Sequence, residues 1–287
     1  SGFSPLLYLI FPLAHNFCFY IGFQSFSLSL GLMFFTIGLA QKAYGQKKLG
    51  LVFLWAVLLF STALFHLFPA IIAMMAMAFF FLLRAMKEGF GNIKELLMFA
   101  LFGIPTVWFS LHFVLGNSEG FQFNQTEFTQ LLKGLWLALP LVTIDTLETS
   151  YSIAFNIIFG IALLAAVFNR FKKGLVLTKG DFALIAGLLV LALYFILPDK
   201  MATGGFLTMR LLLCFYLLIG LWLVITSRFS ILSLILGLAF IMVNLFKLPY
   251  QLTKAKELSA DAVAITEALD YIPVGSTLLP LNYSYHW

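Results

Sequence analysis

The sequence predicts an all-α polytopic membrane protein: about eight transmembrane helices, an amphipathic interfacial helix and the start of an extracytoplasmic α/β domain. Three observations predict it. Of 287 residues, 62% are hydrophobic and 10% charged, against roughly half and a quarter in a soluble domain. The mean hydropathy is +1.02. The apolar residues also gather in long runs nearly free of charge, about 20 residues being the length that crosses a bilayer core. One signal peptide accounts for a single short run, not for many long ones.

Taken in order, residues 3–14 are apolar but too short to span. They read as the end of an upstream helix or as a segment at the interface. The spans cover 17–40, 49–68, 70–86, 96–115, 150–168, 181–198, 206–227 and 229–246. Pro69 parts the second from the third, and Arg228 the seventh from the eighth, which makes both joins tight hairpins. In the first span Gly22, Gly31 and Gly38 permit close helix contact. Between Asn117 and Ser150, Phe128, Leu131, Leu132, Leu135, Trp136 and Leu139 recur at helical spacing. Asn124 and Glu127 resemble a capping box, and Pro140 closes the run. This predicts a helix lying on the outer leaflet with Trp136 at headgroup depth. After 246, "TKAKELSADAVAITEALDYI" reads as a soluble amphipathic helix and "PVGSTLLPL" as a turn and strand. Residues 1–246 are thus the transmembrane domain, and 247–287 begin an extracytoplasmic domain cut short. Opening on Ser1 and stopping at Trp287 in a fresh unit, the chain reads as a piece of a longer protein.

Charge orients the spans. Lys42, Lys47, Lys48, Arg84, Lys87, Lys94, Arg170, Lys172, Lys173, Lys179 and Arg228 lie in four connections on one side, 11 of the 17 basic residues. That side is cytoplasmic by the positive-inside rule. The first full span then runs from outside to inside, so an odd number of spans precedes it in a parent that starts in the cytoplasm. The net charge of +5 follows from this topology and is no nucleic-acid signature. Cys18 and Cys214 sit inside apolar runs and predict no disulfide.

The candidate chemistry lies at the outer side. His15, His66, His112 and His286 all fall there, as does Arg210 at the mouth of the seventh span. Ionisable groups in or beside spans default to function, although interfacial His and Arg also snorkel to headgroups at little cost. The loop "ILPDKMATGGFLTMR" gathers Lys200, Gly204, Gly205 and Arg210. Glycine lets backbone N–H groups approach an anion, a helix N-terminus favours one, and arginine forks two phosphate oxygens. Arg210, Lys200, Gly204, Gly205 and His66 therefore form a candidate lipid-phosphate site; the plain alternative is a hairpin touching ordinary lipid phosphates. His15, Asn16, His112, Asp145 and Glu148 are candidate substrate-side polar groups. Asp145 and Glu148 would suit a divalent metal or a proton, but such a pair is more often a solvated loop end, the reading favoured here. No metal-ligand set and no cofactor is assigned.

Three stretches, "PLAHNFCFYIGF", "ILPDKMATGGFLTMR" and "IPVGSTLLPLNYSYHW", carry a resemblance. The chain resembles bacterial multi-spanning glycosyltransferase-like proteins of the GT-C superfamily, Bacteroidetes-type. The resemblance implies an inner-membrane enzyme that takes a sugar from a polyprenyl-phosphate-linked donor at the outer face. It implies that the catalytic acid lies in a first outer loop upstream of Ser1, and that Arg210 faces the carrier phosphate. Membrane lipids and the lipid-linked donor are the expected partners. The rival readings are a surface-polysaccharide polymerase or ligase, a transporter, and a non-catalytic membrane scaffold. The orientation has a direct test. With Cys18 and Cys214 replaced, His66→Cys and Arg210→Cys should react with a membrane-impermeant maleimide from outside the cell; reaction only from the interior overturns the outer-face assignment.

Overall fold

The computed structural model describes residues 4–44, 46, 48–89, 93–116, 126–172, 174, 177–178, 180–199, 205–227 and 230–269. Among these residues there is no strand. A 3-10 turn, Pro5–Leu9, leads into α1 (Ile10–Ala14) and the single turn α2 (Phe17–Tyr20). Then follow α3 (Gln24–Ala43), α4 (Leu49–Phe65), α5 (Leu67–Glu88), α6 (Ile93–Gly116), α7 (Phe128–Trp136), α8 (Thr149–Lys172), α9 (Asp181–Ile196), α10 (Leu207–Thr226) and α11 (Ile231–Leu269). Six helices, α3, α5, α6, α8, α10 and α11, are long and apolar enough to cross a membrane. At 17 and 16 residues, α4 and α9 are shorter. The protein is a helical integral membrane protein. The predicted strand within 273–281, together with Asn124, Lys200, Gly204 and His286, lies outside the described residues.

The core is built on α10. Its stretch Leu211–Gly220 is buried without interruption, so α10 is apolar on every side, as a helix surrounded by others must be. It packs closely on α9 because Gly187 has no side chain: a Cβ there would meet Ile219 at 2.7 Å. Gly220 does the same for Leu9, at 2.7 Å. The glycines singled out in the first span make no such contact, since Gly22, Gly31 and Gly38 have nothing within 4 Å. Residues 4–14 are neither a surface segment nor a separate unit. Leu6, Leu9 and Leu13 are buried, and the segment climbs beside α10 and α11.

Two buried carboxylates lock the ends of the bundle. At one end Asp181, 1% exposed, takes a two-pronged ion pair from Arg170 (both contacts 2.7 Å) and accepts from Trp222 Nε1 at 2.9 Å. At the opposite end, predicted to be the outer one, Glu148, fully buried, pairs with Lys247 at 3.1 Å. Glu148 directly precedes α8 and Arg170 lies in its last turn, 22 residues apart, about 33 Å along a helix at 1.5 Å per residue. That is close to the hydrocarbon thickness of a bilayer.

α7 rests on the bundle along the face that carries Leu131 and Gly134, while most of its other residues are exposed. Side chains of α8, α9 and α10 donate to carbonyls of its last turns. Tyr194 Oη donates to Leu131 O at 2.7 Å, Tyr216 Oη to Leu135 O at 3.0 Å, and Asn156 Nδ2 to Leu135 O and Trp136 O at 2.9 and 2.8 Å. Asn156 stands two turns inside α8, which sets where α7 rests. Gly134 fits beneath Tyr194, where a Cβ would meet the hydroxyl at 2.7 Å. Glu127 starts α7 without a side-chain cap, so the expected capping box contributes no bond from this residue. The other face of α7, with Phe128, Leu132 and Trp136, stays exposed and suits lipid.

A further difference is α11. The expected soluble helix after residue 246 continues the last span without a break through Leu269, despite Pro249. Proline forfeits one helical hydrogen bond, but Lys247 and Gln251 on either side of it are both buried and bonded to the outer loop. Those contacts carry the helix through. One variant tests the anchoring of α7: Asn156→Leu removes the side-chain donor to Trp136 O, while Leu135 O keeps Tyr216 Oη. It should lower unfolding stability in detergent by about 1 kcal/mol, measured by thermal or denaturant unfolding.

Candidate functional site

The end of the bundle opposite Asp181 holds two polar clusters, one around Arg210 and one around Glu148. The first surrounds Arg210. α10 begins after Phe206, whose φ of 58° is left-handed. Asp199 accepts the opening bonds of α10: its carbonyl takes Leu207 N–H and its carboxylate takes Thr208 N–H, both at 3.0 Å, together with the Thr208 hydroxyl. This corrects the expectation of a free helix N-terminus in the loop, because the chain's own carboxylate already occupies it. Gly205 has nothing within 4 Å of where a Cβ would stand.

Arg210 lies one turn further in. Its guanidinium covers the ring of Phe23 at 4.3 Å and that of Phe26 at 5.5 Å, contacts that replace water with ring faces. Its Nη1 stands 3.3 Å from His66 Nε2. Its Nε is buried without a hydrogen-bond partner among the described residues. His66 is the single residue between α4 and α5, not part of either helix. Its Nδ1 accepts from Phe68 N–H at 3.3 Å and so caps α5. Burial, and after it the Arg210 charge, pushes the imidazole down to about 4, so it is neutral at pH 7. A neutral imidazole has one acceptor nitrogen. Here two donors, Phe68 N–H and Arg210 Nη1, face its two nitrogens. The cluster therefore has more donors than acceptors.

The second cluster is built around Glu148. Its carboxylate accepts from Thr143 N–H at 2.8 Å, from the Thr143 hydroxyl and from Lys247. Lys247 also donates to Leu141 O. Gln251 Nε2 stands 2.7 Å from Thr143 Oγ1, Gln251 Oε1 stands 3.3 Å from Tyr20 Oη, and Tyr20 Oη stands 3.5 Å from His15 Nδ1. Asn16 fixes the bend that carries His15: its Nδ2 donates to Leu13 O at 3.0 Å and its Oδ1 accepts from Phe19 N–H at 3.1 Å. Asp145 accepts from Leu147 N–H at 2.8 Å and from the Tyr250 hydroxyl.

Of the residues the sequence singled out, the structure brings Arg210 to His66, and His15 to the network of Glu148. Asn16 is a positioning residue. His112 joins neither cluster; it is exposed on the peripheral α6 and stacks on Trp108 at 5.5 Å. Lys200 and Gly204 lie outside the described residues. The solvated-loop alternative is excluded for Glu148, which has no exposed surface. Sequence reasoning missed Tyr20, Thr143, Lys247, Tyr250 and Gln251. A signal existed for Lys247: an ionisable residue within an apolar helix, overlooked because the last span was ended at 246.

Among the described residues no cluster of three His, Cys, Asp or Glu side chains could hold a metal ion. An apolar cavity of about 410 Å³ opens between α4, α5 and α6, lined by Trp55, Met74, Met77, Phe81 and Phe99, away from both clusters. Comparison of the chain with family models, curated proteins and solved structures finds no match.

Because the folded state holds the His66 imidazole below its ordinary value of 6.5, the unfolded chain binds this proton more readily between the two values. Stability is then full above about pH 6.5 and declines as pH falls toward 4. Wild type should therefore lose thermal stability relative to His66→Gln as pH is lowered through that window; a difference independent of pH overturns the assignment of a neutral His66.

Proposed function

We propose that the protein is an eight-span membrane transferase of the GT-C type that works at the outer face of a bacterial inner membrane, and that Arg210 and His66 hold the phosphate of a polyprenyl-phosphate-linked sugar donor. One observation carries this reading. The Arg210 cluster has unspent donors and too few acceptors, in a site walled by aromatic rings at one end of the spans. No described carboxylate forms an ion pair with Arg210. An anion whose oxygens accept from Arg210 Nε, Arg210 Nη1 and a protonated His66 Nε2 leaves His66 Nδ1 free to cap α5. Arg210 Nε, Arg210 Nη1, His66 Nε2 and Phe68 N–H then each have an acceptor.

A phosphate matches that demand, and a lipid-linked one is delivered at this level of the bilayer. Its departing oxygen gains charge as the sugar–oxygen bond breaks, and a preorganised guanidinium in a dry site stabilises that charge. Phe23, Phe26, Phe17 and Phe206 form the surrounding apolar wall. Phe206 keeps its strained left-handed backbone at the mouth of the site, and such strain concentrates at functional positions.

The second reading is a transporter for an anionic solute, which the same Arg210 donors would also bind. Flux of phosphate into proteoliposomes supports that reading; its absence, with donor turnover present, supports the transferase.

Binding is measured on the purified protein with farnesyl phosphate, farnesol, an anionic phospholipid and inorganic phosphate. Farnesyl phosphate should bind, farnesol at least tenfold more weakly, and Arg210→Ala should lose at least tenfold in affinity while Arg210→Lys loses less. Equal binding of farnesol removes the phosphate site. Equal binding of the phospholipid assigns it to ordinary headgroups, and preference for inorganic phosphate assigns it to a free ion.

A further inference from the structure

We propose that His15 is the base that receives the proton of the acceptor hydroxyl, held in the required tautomer by a one-way chain of hydrogen bonds that ends at Glu148. The proposal rests on the transferase reading above, and it deepens that reading by naming the group opposite the phosphate.

The direction of the chain follows from its buried end. Glu148 is fully buried and paired with Lys247, and an ionised carboxylate only accepts. The one proton of the Thr143 hydroxyl is therefore committed to Glu148, at 2.8 and 2.9 Å from its two oxygens. Thr143 Oγ1 then has only acceptance to offer, so the Gln251 atom 2.7 Å away is its amide nitrogen. This turns the Gln251 carbonyl toward Tyr20, where it accepts the phenol proton at 3.3 Å. The Tyr20 oxygen, its proton spent, accepts from His15 Nδ1 at 3.5 Å. His15 thus carries its proton on Nδ1, and its Nε2 lone pair is bare. A base oriented by a second group, with that group fixed by a third, is the arrangement general-base catalysis uses.

The placement suits the donor. His15 is half-buried at the rim, and Asn16 holds the bend beneath it. Two residues on, Phe17 packs against Phe206 at 5.3 Å, at the mouth of the helix that carries Arg210. The phosphate cluster and His15 therefore flank α2, a single turn about 5 Å long. In the step proposed, the acceptor oxygen forms a bond to the sugar C1 and the bond from C1 to the phosphate oxygen breaks. The leaving electron pair stays on that oxygen beside Arg210. The acceptor's proton passes to His15 Nε2 and then to water at the rim.

The test combines turnover with a direct reading of the tautomer. In membranes holding the native acceptor, release of polyprenyl phosphate from polyprenyl-phosphate-linked hexose should fall at least a hundredfold in kcat for His15→Gln, with farnesyl phosphate affinity unchanged within twofold. In the purified full chain, 15N-histidine NMR should show His15 protonated on Nδ1, and Tyr20→Phe, a substitution at the exposed rim, should move the proton toward Nε2. Turnover of His15→Gln within tenfold of wild type overturns the base, and an Nε2-protonated His15 in wild type overturns the chain. Absence of release by wild type removes the transferase reading and the base with it, while the NMR result still decides whether the chain holds.

Discussion

The outer end of this bundle depends on how a carboxylate with no exposed surface is neutralised. Glu148 precedes α8 and is sealed from solvent. Left alone, such a charge would cost several kcal/mol or take up a proton. Lys247 from α11 and the hydroxyl and N–H of Thr143 compensate it. These contacts join three parts of the chain that are remote in sequence: the loop after α7, the start of α8 and the region of α11 around Pro249. Removing one partner leaves the other charged and buried, so the pair acts as a registration device. It fixes where α11 sits against the loop, and through Gln251 and Tyr20 it fixes where His15 sits. Asp181 and Arg170 perform the same service at the opposite end, and α8 holds the two locks about one hydrocarbon thickness apart.

A second constraint follows from the solvent. Backbone groups at membrane depth must find partners inside the protein. Carbonyls of α7 are met by Asn156, Tyr194 and Tyr216. Tyr216 also donates to Asn156 Oδ1 at 3.0 Å, so the amide that caps α7 is itself oriented. α10 provides this donor as well as Arg210 on a single rod. The anchor of α7 and the Arg210 cluster are therefore joined through one buried helix, with little room for either to shift independently.

The sequence and structure agree where apolar length decides, and part where tertiary partners decide. The helices were legible because each depends on an apolar run, although six of the described helices, not eight, are long and apolar enough to span. The approach of His66 to Arg210 was not legible as a contact; 144 residues separate them, and nothing local predicts a distance of 3.3 Å. The apolar stripe of α7 was legible, but its anchor was not: Asn156 is a lone amide in an apolar run, whose meaning appears only with the carbonyls opposite. Glu148 looked like a loop end because its partner, Lys247, lies 99 residues further on. The same reasoning error ended the last span too early: Lys247 and Gln251 read as polar punctuation, while in three dimensions they are interior groups.

The two clusters also differ in their hydrogen-bond balance, which separates the roles assigned to them. Around Glu148 itself the described carboxylate, hydroxyl and ammonium groups satisfy one another, and the open position of that network is His15 Nε2 at its far end. Around Arg210 donors and acceptors do not match. His66 cannot accept from both Phe68 N–H and Arg210 Nη1 while neutral, and Arg210 Nε has no hydrogen-bond partner among the described residues. An arriving phosphate changes the count. With His66 protonated on Nε2, the ring donates to the anion and its Nδ1 is released wholly to the α5 cap. A hydrogen bond to a charged group contributes about 1.5–3 kcal/mol, more effectively where water is excluded. The ligand would thereby also strengthen the junction of α4 and α5, so that occupancy and order at the outer end rise together.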